Sequence, residues 1–329
     1  MIAARVAALA FAVLAAATGA RAADESPVPV RIAVILSGGQ GEVPYVVRRF
    51  GLDKKHGLAM EQVALSAPGQ QYLMFRSDTI DASPGTFIDL MRQRKAGGAM
   101  KAFHGFQGYN NRIVVKPGSA IKSFADLKGV RFGEFGTTFL DWLILRAAGK
   151  KAYGIDLEKD ATPVQGAPPL LNQFLAKGEV DAMLQFSSLT LEPIVRGEQR
   201  MVADVPGLMD QAGFGRKVFN SNWNVAEKWT QAHPGAVDRL SAMIDDAYAA
   251  LKSDDTVWPE IAQAIGITEP NLVAAYRDLA RAIDNPTYDK SLIQSTQVLI
   301  DAIVAQAGEA PIGFTEVDPA AFLFPPRAP

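Results

Sequence analysis

Cysteine is absent from the 329 residues of the chain, and histidine occurs at only three positions. The absence of cysteine excludes disulfide bridges, thiolate metal sites and cysteine nucleophiles. The three histidines, His56, His104 and His233, are never three or four residues apart, as two metal ligands on one helix would be. The sequence therefore predicts neither a metal site nor a bound cofactor.

The chain also lacks a strong charge of either sign and any long apolar segment after its N-terminus. Its formal net charge is -2, with 33 basic and 35 acidic residues, whereas a nucleic-acid-binding protein needs a basic face. No later segment approaches the roughly 20 apolar residues of a membrane-spanning helix. We therefore expect no nucleic-acid partner and no transmembrane helix.

An export signal is predicted at the N-terminus. Arg5 precedes an apolar run over residues 6–17, and Ala20 and Ala22 give the small-x-small pattern of a cleavage site. Residues 1–22 are therefore expected to be a signal peptide that is cleaved near Ala22. Because no cysteine follows this segment to carry a lipid, we expect the mature protein to be soluble in the periplasm.

The rest of the chain alternates between strand and helix patterns. Residues 31–36 form an apolar strand pattern, and a glycine-rich loop separates it from a helix that begins near Pro44. Residues 58–65 and 180–186 form further strand patterns, and helical periodicity dominates after Pro234. This order predicts an α/β fold with two lobes and a helical C-terminal part. Ligands of such folds bind outside the carboxyl ends of the strands.

Several short segments resemble one family of transport proteins. GLDKKHGL at residues 51–58, SFADLKG at 123–129 and KGEVDA at 177–182 are similar to motifs of ABC-transporter substrate-binding proteins. The similarity is to the nitrate/sulfonate/taurine and thiamine-precursor type, and residues 133–143 are similar to a further segment of it. The resemblance weakens after about Val205.

The resemblance implies a type II periplasmic binding protein fold, in which two α/β lobes are joined by two crossing segments. We assign residues 23–115 and 216–329 to the first lobe and residues 116–215 to the second, with crossings near 111–118 and 205–220. The resemblance also implies a small-molecule ligand held between the lobes by hinge closure. An ABC permease and its ATPase would be the partners of a protein that is expected to be a monomer.

Thr137 and Thr138 are the first candidates for binding an anionic group. Thr138 and Asp141 have the spacing of a capping box, which predicts that a helix begins here, beside a glycine-bearing loop. The free N–H groups and partial positive charge of a helix N-terminus favour an anion. Thr137 precedes the predicted cap, so its hydroxyl is expected to face the ligand.

Other candidate ligand-binding residues follow predicted strands or begin predicted helices. Ser83 is expected to cap a first-lobe helix before Pro84, with Thr86 one turn inside that helix. Capping or core packing is the alternative role for these side chains. The set is completed by residues of the first loop, the strand ends and the crossings, which are Gly39, Gln40, Tyr45, His104, Asn110, Gln185, Phe186 and Asn222.

Two other functional classes stay open beside a binding protein of an importer. The sequence contains no G-x-S-x-G nucleophile elbow, and the pyrimidine-synthesising relatives of the family need cysteine-bearing segments that this chain lacks. We therefore expect no enzyme, with a pyrimidine-precursor synthase as the alternative and a binding protein coupled to a sensor kinase as the third class. The expected cleft loops contain few lysines or arginines. This favours an organic ligand with a carboxylate or sulfonate over an inorganic anion, while an uncharged pyrimidine stays open.

Overall fold

The computed structural model of the protein describes residues 26–36, 39–67, 69–283 and 288–326. The predicted signal peptide, residues 1–22, lies outside the described residues. The described chain forms two five-stranded sheets with helices packed around them. The predicted α/β fold with two lobes is therefore confirmed.

Strands and helices alternate through the first two thirds of the chain, and helices dominate the rest. The strands are β1 (Val28–Val34), β2 (Leu58–Ala64), β3 (Ala82–Thr86), β4 (Met100–Gln107), β5 (Arg112–Val115), β6 (Arg131–Glu134), β7 (Thr162–Gln165), β8 (Ala182–Gln185), β9 (Arg200–Asp204) and β10 (Ser221–Ala226). The helices are α1 (Glu42–Phe50), α2 (Leu52–Lys55), α3 (Gln70–Arg76), α4 (Phe87–Lys95), α5 (Leu140–Tyr153), α6 (Leu157–Asp160), α7 (Pro168–Lys177), α8 (Ser187–Val195), α9 (Val205–Gln211), α10 (Glu227–Ala232), α11 (Ala236–Ser253), α12 (Trp258–Ala264), α13 (Pro270–Ala282) and α14 (Ser291–Ala307). Within the described ranges, none of these helices is both long enough and apolar enough to cross a bilayer.

The first sheet has the strand order β2-β1-β3-β10-β4. β1 runs parallel to β2 and to β3, whereas β10 is antiparallel to its two neighbours β3 and β4. Asn222 at the centre of this arrangement pairs with Gly85 on one side and Gly105 on the other. Because β10 comes from the second half of the chain, the first lobe is built from two separate stretches of sequence.

The second sheet has the strand order β7-β6-β8-β5-β9 and comes from one continuous stretch. Arg112, at the start of β5, pairs with Gln185 of β8 and Asp204 of β9. The second sheet thus begins before the lobe boundary that we place after residue 115, and residues 108–111 make the first connection between the sheets. The apolar run of β5 predicts a strand, but only its neighbours decide which sheet it joins.

Each lobe is held together by buried aromatic side chains. Trp223 on β10 is fully buried in the first lobe, and its indole N–H donates a hydrogen bond to Tyr248 Oη at 3.0 Å. Trp142 on α5 is fully buried in the second lobe, with its ring 6.0 Å from that of Phe132 on β6. Burying one large apolar side chain stabilises a fold by about 1.5–3 kcal/mol. These cores therefore fix the strand ends that face the other lobe.

The C-terminal helices also bridge the two lobes, in addition to the first chain connection, residues 108–111, and the second, residues 205–220. α13 packs against α8, and α14 packs against α5, both in the second lobe. Arg196 after α8 forms an ion pair with Glu269 before α13, with an N–O distance of 2.8 Å. Gln306 of α14 donates from Nε2 to Asp156 Oδ2 at 2.8 Å. The helical C-terminal part thus lies over the junction of the lobes.

Candidate functional site

A cavity of about 130 Å³ lies between the two lobes, next to the ends of β4 and β8. Both lobes and α13 contribute to its walls, and we call it the cleft cavity. Its lining includes Gly39, Glu42 and Gln107 of the first lobe, Asn110 between the sheets, Phe186 and Ser187 of the second lobe, and Tyr276 of α13.

Gly39 keeps the first-lobe wall of the cleft cavity open. It begins the short 3₁₀ turn Gly39–Gly41, which connects the loop after β1 to α1. A Cβ atom at this position would lie 2.9 Å from Gln107 Nε2 and 3.6 Å from Glu42 Oε1. Within the part of the chain that the structure describes, the Gln107 amide makes no side-chain hydrogen bond. Glycine therefore leaves this amide room to meet a solute.

Glu42 is the one charged side chain among the described residues that line the cleft cavity. It is the first residue of α1 and is buried, and Tyr276 Oη donates a hydrogen bond to its Oε1 at 2.6 Å. Burial raises the pKa of the Glu42 carboxyl to about 7, because a charged carboxylate loses its hydration there. At neutral pH this group can therefore either donate or accept a hydrogen bond.

The second-lobe wall combines aromatic rings with a polar helix start. The ring of Phe186 stacks on that of Phe135 with centroids 4.7 Å apart, and Phe139 meets Phe186 edge-on at 6.0 Å. Ser187 Oγ donates a hydrogen bond to the backbone oxygen of Asn110, and it lies 3.1 Å from Asn110 Oδ1. The wall therefore offers an apolar surface for the body of a solute, and its polar side is fixed to the first connection between the lobes.

A second cavity, of about 160 Å³, adjoins the cleft cavity at Asn110. We call it the crossing-segment cavity, because its walls include residues of both connections between the sheets. Arg112 and Asp204 contribute from the paired ends of β5 and β9, and Arg216 contributes from the second connection. Two arginines and one aspartate thus line this space, in contrast to the single acidic residue of the cleft cavity.

Three of the residues proposed from the sequence line the cleft cavity: Gly39, Asn110 and Phe186. Gln40 and Gln185 are next in sequence to Gly39 and Phe186, but each side chain forms hydrogen bonds within its own lobe. Gln40 Oε1 accepts a hydrogen bond from the Ile35 backbone N–H at 2.9 Å. Gln185 is fully buried, and its Nε2 donates to the Pro168 backbone oxygen at 2.7 Å. These two side chains hold the loops that follow β1 and β8.

Three other candidates lie within the first lobe or on its outer surface. Tyr45 Oη forms a hydrogen bond with the exposed carboxylate of Glu260. His104 is buried in β4, with Nδ1 2.6 Å from the Gly105 oxygen and Nε2 3.0 Å from a carboxylate oxygen of Asp245. Asn222 is buried in β10 between two strands. Whether any of them touches a ligand stays a prediction.

The helix cap predicted at Ser83 is wrong. β3 continues through Ser83 and Pro84 to Thr86, because the strand pairs with β10 along this stretch. α4 begins only at Phe87, and Thr86 is its N-cap, with its side chain accepting a hydrogen bond from the Asp89 N–H at 3.2 Å. A Ser-Pro pair predicts a helix start locally, and sheet pairing overrides it here.

The capping box predicted at Thr138 is also absent. α5 begins at Leu140 with Phe139 at its N-cap, and no side chain caps it. The Asp141 carboxylate accepts a hydrogen bond from Asn111 Nδ2 at 3.0 Å instead, and both side chains are buried. Thr137 and Thr138 are exposed and do not line the two cavities described above. Binding of an anion at this helix end stays a prediction.

Sequence reasoning did not single out several polar residues of the two cavities, among them Glu42, Gln107, Arg112 and Tyr276. Gln107 could have been found, because it ends a strand at the edge where ligands bind. Glu42 resembles an ordinary acidic residue in a first helical turn, and its burial depends on a tyrosine 234 positions away. In the described ranges, no group of three or more His, Asp or Glu residues could hold a metal ion.

Comparison with known proteins agrees with this architecture. A Brucella abortus protein described as a binding protein is 24% identical over 227 residues, which cover 67% of this chain and 66% of that protein, just under two thirds of its length. The periplasmic aliphatic sulphonate binding protein SsuA from Escherichia coli superposes with a TM-score of 0.73 at 18% identity, covering 92% of this chain and 94% of that chain. The desulfurization enzyme DszB has a TM-score of 0.58 at 18% identity, over 86% of this chain and 96% of its own.

These structural likenesses confirm the periplasmic binding protein fold that the sequence motifs imply. At such low identity they establish the fold alone, and the fold is shared by binding proteins and at least one enzyme. A match to a family model is more specific. The model of the NMT1/THI5 like family matches residues 45–256, which is more than half of the chain. The chain belongs to the NMT1/THI5 like family.

Proposed function

We propose that the protein is the periplasmic solute-binding component of an ABC importer and captures a small organic solute in the cleft cavity. The observation that carries this proposal is a cavity whose walls come from both lobes and contain polar groups with few partners. The Gln107 amide has no side-chain hydrogen bond within the described chain, and the Glu42 carboxyl accepts a hydrogen bond from Tyr276. A small concave site with an apolar wall and a few polar groups is typical of a binding pocket.

The names of similar proteins support the same proposal. The Brucella relative is described as a binding protein, and the Escherichia coli structure is of a sulphonate-binding protein. We extend both descriptions to this chain, with export by the N-terminal signal and with a permease and an ATPase as partners. A carboxylate or sulfonate is the acid group that we favour on the solute. The protein acts as a monomer in this proposal.

Capture would proceed by rotation of the lobes about the two connections. Tyr109 Oη donates a hydrogen bond to the Phe219 oxygen at 3.2 Å, and Asn220 Nδ2 donates to the Gly108 oxygen at 2.9 Å. These bonds tie residues 108–111 to the second connection, so the two would bend together. Closure of this kind buries the solute between the walls without chemical change.

The fold shared with DszB supports an enzyme as the second candidate. The two candidates differ in what happens to the solute. A binding protein returns the molecule unchanged after denaturation, whereas an enzyme yields a product that mass spectrometry detects. If a solute that binds is converted to a product, the protein is an enzyme and the proposed binding function is wrong.

We expect a small organic acid to stabilise the protein lacking residues 1–22. At 100 times its dissociation constant, a solute that binds only the folded state adds about 2.7 kcal/mol to the free energy of unfolding. Differential scanning fluorimetry across organic acids, sulfonates, pyrimidines and inorganic anions would identify it, and calorimetry would give its stoichiometry. One solute per chain supports the proposal, and the absence of any binding solute contradicts it.

Gly39→Ala is expected to weaken binding of that solute while leaving the fold intact. The added methyl would meet Gln107 Nε2 and displace the amide, which is the end of a flexible side chain. Loss of one hydrogen bond costs about 0.5–1.5 kcal/mol, or roughly a two- to tenfold rise in the dissociation constant. Calorimetry on the purified variant measures this change.

Gly118→Ala is the matched control, because a Cβ atom there would have no described atom within 4 Å apart from those of its own residue and its two chain neighbours. Its affinity and melting temperature should equal those of the parent protein. Equal affinities for Gly39→Ala and Gly118→Ala would show that the first-lobe wall at Gly39 does not contact the solute.

A further inference from the structure

The crossing-segment cavity differs from the cleft cavity in its charge. The described residues that line it include two arginines, Arg112 and Arg216, and one acid, Asp204. Arg216 forms an ion pair with Asp210 at 2.6 Å on the exposed side, so part of its charge is already balanced.

Arg112 is half-buried, and within the described chain its side chain has no hydrogen bond. Asp204 is paired with Arg112 in the sheet, and its negative charge attracts the guanidinium. Asp204 is also the N-cap of α9, and its Oδ1 accepts a hydrogen bond from the Gly207 N–H at 2.6 Å. Burial lowers the pKa of the Arg112 guanidinium below its usual value, because the cation loses hydration. Arg112 lines the cavity, and no described residue accepts a hydrogen bond from its fixed fork of N–H donors.

A guanidinium that lines a cavity and has no hydrogen-bond acceptor among the described residues can bind an oxyanion. A buried charge is costly unless it is paired, and the planar fork of arginine matches the two oxygens of a carboxylate or sulfonate. The cavity of about 160 Å³ has room for several non-hydrogen atoms, since one water molecule takes about 30 Å³ in the liquid. Asn110 borders both cavities, so a solute can place one end in each.

We propose that the crossing-segment cavity receives the acid group of the solute and that Arg112 is the residue that selects for it. This inference rests on the proposed solute-binding function and adds the part of the site that recognises the negative charge of the solute. The remainder of the solute lies in the cleft cavity, against Phe186 and the Gln107 amide. The selected ligands are then short organic acids rather than neutral amides or heterocycles.

The test compares solutes that differ only in the acid group, on the parent protein and on Arg112→Gln. The probes are propionate with propionamide, butyrate with butyramide, and ethanesulfonate with ethanesulfonamide, each titrated by calorimetry at fixed ionic strength. We expect the parent to prefer the acid of at least one pair by about tenfold or more, since hydrogen bonds to charged groups contribute about 1.5–3 kcal/mol. Arg112→Gln should abolish that preference and leave the affinity for the amide unchanged.

Two comparison variants make the result specific. Arg200→Gln removes the same charge from the neighbouring strand β9, where Arg200 pairs with Val115 at the far end of β5, and it should keep the preference for acids. Thr137→Ala tests the helix end proposed from the sequence. Loss of the preference in Thr137→Ala but not in Arg112→Gln would overturn the assignment and place the acid group at α5.

The outcomes separate this inference from the proposed function. Equal affinity for acid and amide in the parent protein, or an unchanged preference in Arg112→Gln, overturns the role of Arg112 while solute binding itself stands. Absence of binding by all six probes and by the wider solute collection overturns both. Circular dichroism and the melting temperature of Arg112→Gln establish that the variant is folded.

Discussion

Replacing Asp156 by alanine is expected to lower the free energy of unfolding by about 3 kcal/mol or more. Asp156 is 1% exposed and accepts hydrogen bonds from Arg146 Nε at 2.9 Å and Nη2 at 3.2 Å. Arg146 is also buried, so the substitution leaves a guanidinium with little hydration and only the more exposed Glu158 as an acidic partner. Urea denaturation followed by circular dichroism measures the loss.

Asp181→Ala is the matched control for this prediction. Asp181 pairs with Arg131 through the same two-bond geometry, at 2.6 Å and 3.1 Å, but both side chains are well exposed. Exposed ion pairs contribute about 0–1 kcal/mol, so this variant should lose far less stability. Similar losses in the two variants would show that burial does not set the strength of the Arg146–Asp156 pair.

The protein is expected to be more stable near pH 5 than near pH 8, by a few kcal/mol at most. Burial raises the pKa values of Glu42 and Asp141 to about 7, well above those of the unfolded chain. Between the unfolded and folded values, the native state binds protons that the unfolded chain has released, so raising the pH favours unfolding. One pKa unit corresponds to about 1.4 kcal/mol, and two such groups give a dependence that denaturation at several pH values resolves.

Glu42→Gln and Asp141→Asn together should flatten this dependence. Each substitution keeps the oxygen that accepts a hydrogen bond, from Tyr276 in one case and from Asn111 in the other, while it removes the titration. The double variant should therefore gain stability over the parent at pH 8 and change little at pH 5. An unchanged difference between pH 5 and pH 8 in the double variant would assign the effect to groups other than Glu42 and Asp141.

The fold could be predicted from sequence because its signals are local. The alternation of apolar strands with helices defines the α/β order, and SFADLKG forms the capping box that its Ser-x-x-Asp spacing favours, with Asp126 accepting hydrogen bonds from the backbone N–H groups of Ser123 and Lys122. The bounds of elements near the site were less predictable. Thr138 and Asp141 have the same spacing as Ser123 and Asp126, yet Asp141 binds Asn111 instead, because α5 packs into the core at that point.

The chemistry of the site depends on approaches between distant parts of the chain. Tyr276 converts Glu42 from a surface acid into a buried one, and no pattern near either residue indicates this contact. Arg112 lies in a strand pattern, and its position becomes informative only when β9 brings Asp204 beside it and the connections enclose it. Local reasoning therefore found Gly39, Asn110 and Phe186 but missed the charged groups.

The position of β10 between β3 and β4 sets an order for folding. The second sheet uses only residues 112–204 and can form as soon as that stretch is available. The first sheet cannot close until Ser221–Ala226 arrives, so β3 and β4 keep unpaired edges while the second lobe forms. Pairings between distant residues are slow to form and expose strand edges to aggregation in the meantime. Substitutions in β10 should therefore slow refolding and raise its sensitivity to protein concentration, whereas substitutions in β7 at the edge of the second sheet should not.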